Sequence, residues 1–288
     1  MPALTGLLTA MVTAFTPDGS VDDDATVAVA KHLLANGSDG LVVCGTTGEA
    51  ATLSDDEHLA VLKLIVEECG DEALIVGGVG SNDTRHARHL TEAAAEIGCH
   101  ALLSVAPYYN KPNARGIKRH FEEVAKAAGG TPVLLYNVPG RTVVNMGPEL
   151  LKELAQIDGI EGLKQSNNDE LQLIDGLAVF AGNDDVLGRT LDLGGAGGIC
   201  VATHVAGPQM KRMFDEPDAR AEIDASLAEV YDALFCTASP APTKAALEML
   251  GAPGGGTLRL PLVECDEAER DIVRRALVGA GLLAEAHA

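Results

Sequence analysis

Short apolar segments alternate along the chain with longer segments in which apolar residues recur at helical spacing. The segment around Val133-Leu134-Leu135 is continuously apolar, as expected of a strand buried on both faces of a parallel sheet. Ser54 precedes Glu57 by three residues at the start of a longer segment, which predicts a capping box at a helix N-terminus. The predicted strands are 6–15, 40–45, 73–80, 101–109, 132–138, 159–166, 178–182 and 198–203. The predicted helices are 23–36, 54–69, 83–97, 113–128, 148–157, 170–176, 186–193, 209–235 with a break near Pro217, 243–250 and 266–283.

Eight strand segments, each followed by a helical segment, favour an α/β fold in which the sheet closes into a (β/α)8 TIM barrel. An open doubly wound sheet would usually carry a glycine-rich dinucleotide loop after its first strand. Here that strand is followed by Thr16-Pro17-Asp18-Gly19-Ser20, an ordinary turn. No strand is predicted after Ser239. We therefore expect a barrel catalytic domain over residues 1–225 and a C-terminal helical region over residues 226–288.

Composition narrows the classes of partner. The chain has 288 residues, 47% of them hydrophobic, and a formal net charge of −21. Such a surface repels nucleic acid and anionic membranes, so we expect neither as a partner. No apolar run reaches the roughly 18 residues that a membrane span needs, and the N-terminal residues lack the basic segment of a signal peptide. The six cysteines are scattered, without CxxC or zinc-type spacing. We therefore expect a soluble cytoplasmic protein without a metal site.

A lysine within a predicted strand is the first candidate for chemistry. Active sites of TIM barrels lie at the carboxyl ends of the strands, and Lys164 falls inside the sixth predicted strand. Because burial disfavours the charged ammonium, the side chain would be held as a neutral amine, the form that attacks a ketone. Lys164 is thus a candidate Schiff-base nucleophile. The alternative is a lysine that forms a salt bridge with an acid such as Asp184.

Five polar side chains near other strand ends could assist such a nucleophile. Tyr136 could pass protons if hydroxyls such as those of Thr46 and Tyr109 hold it by hydrogen bonds. The turn that contains Thr47 offers amide and hydroxyl donors for a substrate carboxylate. The guanidinium of Arg141 could bind a second carboxylate. The alternatives are ordinary packing for each tyrosine, a plain turn, and a surface ion pair for Arg141.

Four motifs together give the chain a family resemblance. They are Gly45-Thr46-Thr47-Gly48-Glu49, Pro107-Tyr108-Tyr109-Asn110, Tyr136-Asn137-Val138-Pro139-Gly140-Arg141-Thr142 and Gly162-Leu163-Lys164. In order and spacing, over nearly the whole chain, they resemble the dihydrodipicolinate synthase and N-acetylneuraminate lyase family of pyruvate-dependent class I aldolases. The resemblance implies that Lys164 forms an imine with pyruvate. It also implies that Tyr136 passes protons in a relay with Thr46 and with Tyr109 from a neighbouring subunit.

The resemblance assigns further roles. It implies that Thr47 binds the carboxylate of pyruvate, that Ile199 lines the same pocket, and that Arg141 takes the carboxylate of the second substrate. It implies a homotetramer built as a dimer of dimers. No metal or organic cofactor is needed, because the imine itself acts as the electron sink.

The second substrate is less defined by the motifs. Arg141 and the segment Thr257-Leu258-Arg259-Leu260-Pro261-Leu262 favour the synthase, which condenses pyruvate with L-aspartate 4-semialdehyde in lysine (diaminopimelate) biosynthesis. The segment Gln165-Ser166-Asn167-Asn168 departs from the synthase pattern, so a 2-keto-3-deoxy sugar acid aldolase or an N-acetylneuraminate lyase-like enzyme is the alternative. Two other classes are a non-catalytic ligand-binding barrel and a sugar-phosphate barrel. The set of Lys164, Tyr136 and Thr46 argues against the first of these, and the carboxylates at 184 and 185 argue against the second.

Overall fold

The strands form a closed parallel barrel. In the computed structural model, which describes residues 4–284, each strand pairs with the next along the chain and the last pairs with the first. The strands are β1 (Gly6–Ala10), β2 (Gly40–Val43), β3 (Leu74–Gly78), β4 (Ala101–Val105), β5 (Val133–Asn137), β6 (Ile160–Gln165), β7 (Ala178–Ala181) and β8 (Gly197–Cys200). The predicted TIM barrel is confirmed. Residues 1–3, on which the signal-peptide prediction rests, lie outside the described part.

The helices cover the barrel and continue past it. They are α1 (Asp23–Ala35), α2 (Asp55–Cys69), α3 (Thr84–Ile97), α4 (Ala114–Ala127), α5 (Pro139–Thr142), α6 (Pro148–Leu154), α7 (Leu187–Asp192), α8 (Thr203–Asp215), α9 (Arg220–Ala233), α10 (Ala241–Met249) and α11 (Glu267–Gly279). Helix α2 begins with the predicted capping box, in which Ser54 accepts from the main-chain N–H of Glu57 and the Glu57 side chain accepts from the Ser54 N–H. The predicted break near Pro217 is also confirmed.

Two predicted helices were wrong in extent or kind. Residues 170–176 do not form a helix: a 3₁₀ turn, Asn168–Glu170, is followed by chain without regular secondary structure. The side chain and carbonyl of Asn168 are bound to Asp185 and Arg189, so tertiary contacts set this conformation rather than local propensity. Helix α8 begins six residues before the predicted 209, because a kink at Ala206 allows Pro208 to lie inside it. The short helix α5 was not predicted.

Side chains alternate between the barrel interior and the helices. Residues of one parity on each strand meet inside the barrel, and residues of the other parity pack beneath the helices. The inner set includes Leu8, Ala10, Val42, Val76, Leu103, Leu134, Tyr136, Phe180, Ile199 and Val201. Lys164 pairs with Tyr136 on one side and with Phe180 on the other. Its side chain therefore belongs to the interior.

The barrel closes where two glycines face each other. Gly6 pairs with Gly197 across β1 and β8. A β-carbon on Gly197 would lie 2.0 Å from the carbonyl oxygen of Gly6, and the φ angle of Gly197 is +145°. Only glycine fits this position, since any side chain would push the two strands apart.

The chain after the barrel is helical and packs against it. Helix α10 contacts α8 and α11, and α11 contacts α9. The predicted helical appendage is confirmed, although the proposed domain division at residue 225 falls inside α9 and stays a prediction. Among residues 4–284, no helix combines the length and apolar character required to cross a membrane.

Candidate active site

A cavity opens at the carboxyl ends of the strands. Its volume is about 520 Å³, which lies within the range of small-molecule sites. Five of the residues selected from the sequence line it: Thr46, Thr47, Tyr136, Arg141 and Lys164. They come from the ends of β2, β5 and β6 and from α5. The cavity therefore lies where TIM barrels carry their chemistry, and we call it the mouth cavity.

Lys164 and Tyr136 lie side by side within it. They are direct neighbours in the pairing of β5 with β6, so both side chains leave the sheet on the inner face. The Nζ atom of Lys164 lies 4.6 Å from the centroid of the Tyr136 ring. Lys164 is 6% exposed and Tyr136 is 8% exposed. A substrate carbonyl that reaches the amine would therefore also lie beside the phenol.

The alternative interpretation of Lys164 as a salt-bridged lysine is wrong. Within residues 4–284, no carboxylate oxygen lies within 4.0 Å of its Nζ atom. The carboxylate of Asp184 instead accepts hydrogen bonds from the main-chain N–H groups of Val201, at 2.8 Å, and Ala202, at 3.0 Å. Burial raises the pKa of Asp184, while these hydrogen bonds and the positive charge of Lys164 act in the opposite direction. The amine of Lys164 is thus left for a ligand.

The turn after β2 presents donors to the cavity. It is closed by hydrogen bonds from the N–H of Gly48 to the oxygen of Gly45 and from the N–H of Glu49 to the oxygen of Thr46. The main-chain N–H groups of Thr46 and Thr47 have no partner within residues 4–284. They and the threonine hydroxyls can therefore receive a carboxylate.

Arg141 gives the mouth cavity its outer positive charge. It lies in the last turn of α5, is exposed, and lines the cavity. Among the described lining residues, Arg141 and Lys164 are the only arginine or lysine side chains. On a chain with a net charge of −21, the guanidinium of Arg141 makes the mouth a local attractor for an anionic substrate.

Two of the predicted site residues do not line the cavity of this chain. Ile199 is fully buried in the inner layer with Tyr136, and Val201 is the lining residue beyond β8. Tyr109 is 86% exposed and lies outside the cavity, whereas its neighbour Tyr108 lines it. No hydrogen bond within residues 4–284 joins the hydroxyls of Thr46, Tyr136 and Tyr109. The relay, and the entry of Tyr109 into a neighbouring subunit, stay predictions.

The C-terminal region also contributes to the cavity wall, which the sequence did not predict. Phe235, Ser239 and Leu262 line it together with Glu49. None of the first three lies near a barrel strand in the sequence, so the rule that places sites at strand ends could not find them. In the described part of the chain, no group of three or more His, Cys, Asp and Glu side chains could hold a metal ion.

Comparisons with known proteins agree with this geometry. The model of the "Dihydrodipicolinate synthetase family" matches residues 3–280. The 4-hydroxy-tetrahydrodipicolinate synthase of Symbiobacterium thermophilum is 43% identical, and the alignment covers 98% of this chain and all of that protein.

Solved structures give the same result. A dihydrodipicolinate synthase from Acinetobacter baumannii, described as chloride-inhibited and complexed with pyruvate, superposes with a TM-score of 0.92 at 34% identity, over 98% of this chain and all of that one. A structure described as the first monomeric dihydrodipicolinate synthase variant superposes with a TM-score of 0.89 at 32% identity, over 97% of each chain.

Proposed function

The chain belongs to the dihydrodipicolinate synthetase family, and from this premise we propose that it condenses pyruvate with L-aspartate 4-semialdehyde to 4-hydroxy-tetrahydrodipicolinate. The enzyme is a lyase-type class I aldolase, and the reaction is a step of lysine (diaminopimelate) biosynthesis. One observation carries the proposal: the buried amine of Lys164 has no carboxylate partner within the described residues and lies 4.6 Å from the ring of Tyr136.

The first half of the reaction forms a nucleophilic carbon. The amine of Lys164 adds to the keto carbon of pyruvate, and the carbonyl oxygen leaves as water after it takes protons, one of them through Tyr136. Thr47 and the adjoining N–H groups hold the carboxylate. The protonated imine then withdraws electrons from the methyl carbon, which loses a proton to Tyr136. The resulting enamine is the carbon nucleophile, and no metal or organic cofactor is required.

The second half joins the two substrates. The enamine carbon attacks the aldehyde carbon of L-aspartate 4-semialdehyde, and Tyr136 returns a proton to the aldehyde oxygen, in a relay with Thr46 and Tyr109. Arg141 at the rim binds the carboxylate of the aldehyde substrate. The amino group of that substrate then attacks the imine carbon, which closes the ring and releases the amine of Lys164.

A sugar acid aldolase is the second candidate. Its support is the amide-rich segment after Lys164: Asn183, which lines the cavity, donates to Asn168, and Asn168 donates to Asp185. Neutral amides are suited to the hydroxyls of a sugar acid. Arg141 favours the aldehyde with its own carboxylate, and the relatives named above favour the same substrate.

Turnover with the competing substrates separates the two. We expect condensation of pyruvate with L-aspartate 4-semialdehyde, followed through the ring product, to exceed the cleavage of 2-keto-3-deoxygluconate or N-acetylneuraminate at equal enzyme concentration. Replacing Arg141 with Ala should lower kcat/KM for the aldehyde far more than the formation of the pyruvate imine. Arg119→Ala, which removes an exposed arginine of α4, is the matched control. Faster cleavage of either sugar acid would contradict the proposal.

The cellular location and the assembly are two further parts of the proposal. We place the enzyme in the cytoplasm, where lysine biosynthesis takes place, and we propose a homotetramer of two dimers. The support for an oligomer is Tyr109, which is too exposed in one chain to act in its own cavity. A monomeric variant exists among the similar structures, so sedimentation velocity of the purified protein is the direct test.

A further inference from the structure

A second buried lysine lies outside the catalytic pair. Lys244, on α10, forms an ion pair with Glu49, with 2.7 Å between its Nζ atom and Oε1, and both side chains are 1% exposed. The same Nζ donates to the carbonyl oxygen of Thr257 at 2.7 Å. It also lies 4.5 Å from the centroid of the Phe15 ring, which adds a cation–π contact. Two of the three N–H groups of this ammonium thus have protein acceptors, although the ammonium is removed from water.

Glu49 has no free oxygen with which to act on a substrate. Its Oε1 atom accepts from Lys244, and its Oε2 atom accepts from the main-chain N–H of Arg259 at 3.0 Å. Yet Glu49 lies in the wall of the mouth cavity, and its N–H closes the turn that contains Thr46 and Thr47. Its φ of 54° is a left-handed conformation that a non-glycine residue adopts only when its surroundings hold it. The side chain of Glu49 therefore acts on the turn rather than on the ligand.

The side chain of Arg259 ties the same segment to two barrel loops. It donates to the oxygen of Gly19 in the loop after β1, at 2.7 Å, and to the oxygen of Thr52 after β2, at 2.8 Å. It also forms an ion pair with Glu57 at the start of α2. The ring of Phe15 lies beneath both cations, at 4.5 Å from Lys244 and 4.6 Å from Arg259. The C-terminal region thus clamps the loops that follow the first two strands.

We propose that Lys244 is a positioning residue for the reaction: through Glu49 it fixes the Thr46–Thr47 turn, and thereby makes the C-terminal region a working part of the active site. The inference rests on the proposed function, because it assigns the turn to the pyruvate carboxylate and to proton transfer. A ligand-binding turn displaced by about 1 Å can cost up to about a hundredfold in rate. A buried ion pair whose side chains are also hydrogen-bonded to two main-chain groups, those of Thr257 and Arg259, is suited to prevent such a shift.

A pair of substitutions separates positioning from folding. Lys244→Met alone leaves the carboxylate of Glu49 buried without a counter-charge and is expected to destabilise the fold. The double variant Lys244→Met/Glu49→Gln leaves no unpaired charge, so it should fold, although the link to α10 is lost. Lys211→Met is the matched control, because Lys211 forms a 2.7 Å pair with Asp39 at the opposite end of the barrel, just before β2.

The measurement is steady-state kinetics on the full-length protein, with rates divided by the number of sites that borohydride traps with pyruvate. At a temperature at which all variants are folded by circular dichroism, we expect kcat/KM for pyruvate of the double variant to fall roughly ten- to a hundredfold. We expect the control to match the wild-type protein. The division by trapped sites removes any loss that comes only from unfolded molecules.

Each other outcome overturns a stated claim. A folded double variant with wild-type kcat/KM per trapped site would overturn the positioning role, and so would an equal loss in Lys211→Met. If the double variant cannot be obtained folded, the pair is a requirement of the fold and the proposal fails. If borohydride traps no pyruvate on the wild-type protein, the proposed function fails instead. None of the other outcomes gives this result, so the two failures can be told apart.

Discussion

The molecule contains two buried lysines whose surroundings differ in one respect. Lys164 and Lys244 are 6% and 1% exposed, and each lies about as far from an aromatic ring, at 4.6 Å and 4.5 Å. Lys244 has a carboxylate and a carbonyl oxygen at 2.7 Å. Lys164 has no carboxylate within 4.0 Å among the described residues. Burial alone therefore does not distinguish the two lysines; the presence of a carboxylate partner does.

The difference follows from where each lysine lies. Lys164 is on a strand and faces a cavity, so a ligand can supply the missing contacts. Lys244 lies where α10 packs against the loops of β1 and β2, and there a carboxylate and a carbonyl oxygen of the protein accept from it. Burial lowers the pKa of Lys244, and Glu49 opposes that shift. In our proposal, the first site holds the nucleophile and the second holds the turn that binds its substrate.

The largest expected effect tests the nucleophile. Lys164→Met should lower kcat for the condensation by at least about 10³-fold, because no other described lysine lines the mouth cavity. Lys244→Met should retain a measurable rate per folded site, because it leaves the nucleophile in place. Equal losses in the two variants, measured at saturating substrates, would remove the distinction between the two lysines.

The next effect tests the phenol beside Lys164 against a buried phenol elsewhere in the molecule. Tyr136→Phe should lower kcat by about 10²–10⁴-fold, since it removes only the hydroxyl that transfers protons. Tyr231→Phe is the matched control, because it removes a buried hydroxyl that donates to Asp224 away from the cavity. The control should keep its kcat and lose only about 1 kcal/mol of unfolding free energy. A Tyr136→Phe enzyme with normal kcat would exclude the phenol as the proton carrier.

Replacing each lysine with methionine should affect the free energy of unfolding differently. Lys244→Met is expected to lower the free energy of unfolding by about 3–5 kcal/mol, because it leaves the buried charge of Glu49 unpaired. Lys164→Met should leave it unchanged or raise it, because it replaces a buried amine that lacks acceptors with an apolar chain of similar length. Urea unfolding at pH 7 gives both values. A large loss in Lys164→Met would show that its amine is paired in the folded protein.

The smallest effects are in the pH dependence of stability. The ion pair with Arg259, together with the cap of α2, lowers the pKa of Glu57 from 4.5 to about 2. A lowered carboxyl pKa stabilises the fold above pH 4.5, and this contribution is lost as the pH falls to about 2. Glu57→Gln should therefore be less stable than wild type at pH 7 and approach it in acid. Since the pair is partly exposed, the difference is modest.

Asp184, in the region of Lys164, should make the free energy of unfolding depend on pH in the opposite direction. Burial raises its pKa above 3.8, so its contribution to stability is full below pH 3.8 and declines as the pH rises. Asp184→Asn keeps an oxygen to accept from Val201 and Ala202. It should therefore gain stability relative to wild type as the pH rises from 4. For each variant, urea unfolding between pH 3 and 7 gives the difference in unfolding free energy from the wild-type protein. If this difference changed with pH in the same direction for Glu57→Gln and Asp184→Asn, the two assigned environments would be contradicted.

The sequence could predict the first region better than the second. Strand period and strand order were enough to place Lys164 beside Tyr136, because adjacent parallel strands align their inner residues. The Lys244–Glu49 pair joins positions 195 residues apart, and nothing in local spacing indicates such a contact. The predicted helix over 170–176 failed for the same reason, since Asn168 is held by Asp185, in the turn after β7, and by Arg189 of α7. The spacing of apolar residues predicts local structure, whereas a contact between segments distant in sequence depends on how the folded chain packs.

The central claim is that Lys164, and not the other buried lysine, is the amine that captures pyruvate. Incubation with pyruvate, reduction with borohydride and peptide mapping by mass spectrometry test it in one experiment. We expect an adduct on the peptide that contains Lys164 and none on the peptide that contains Lys244. Modification at Lys244, or an unmodified Lys164 at saturating pyruvate, would contradict the account.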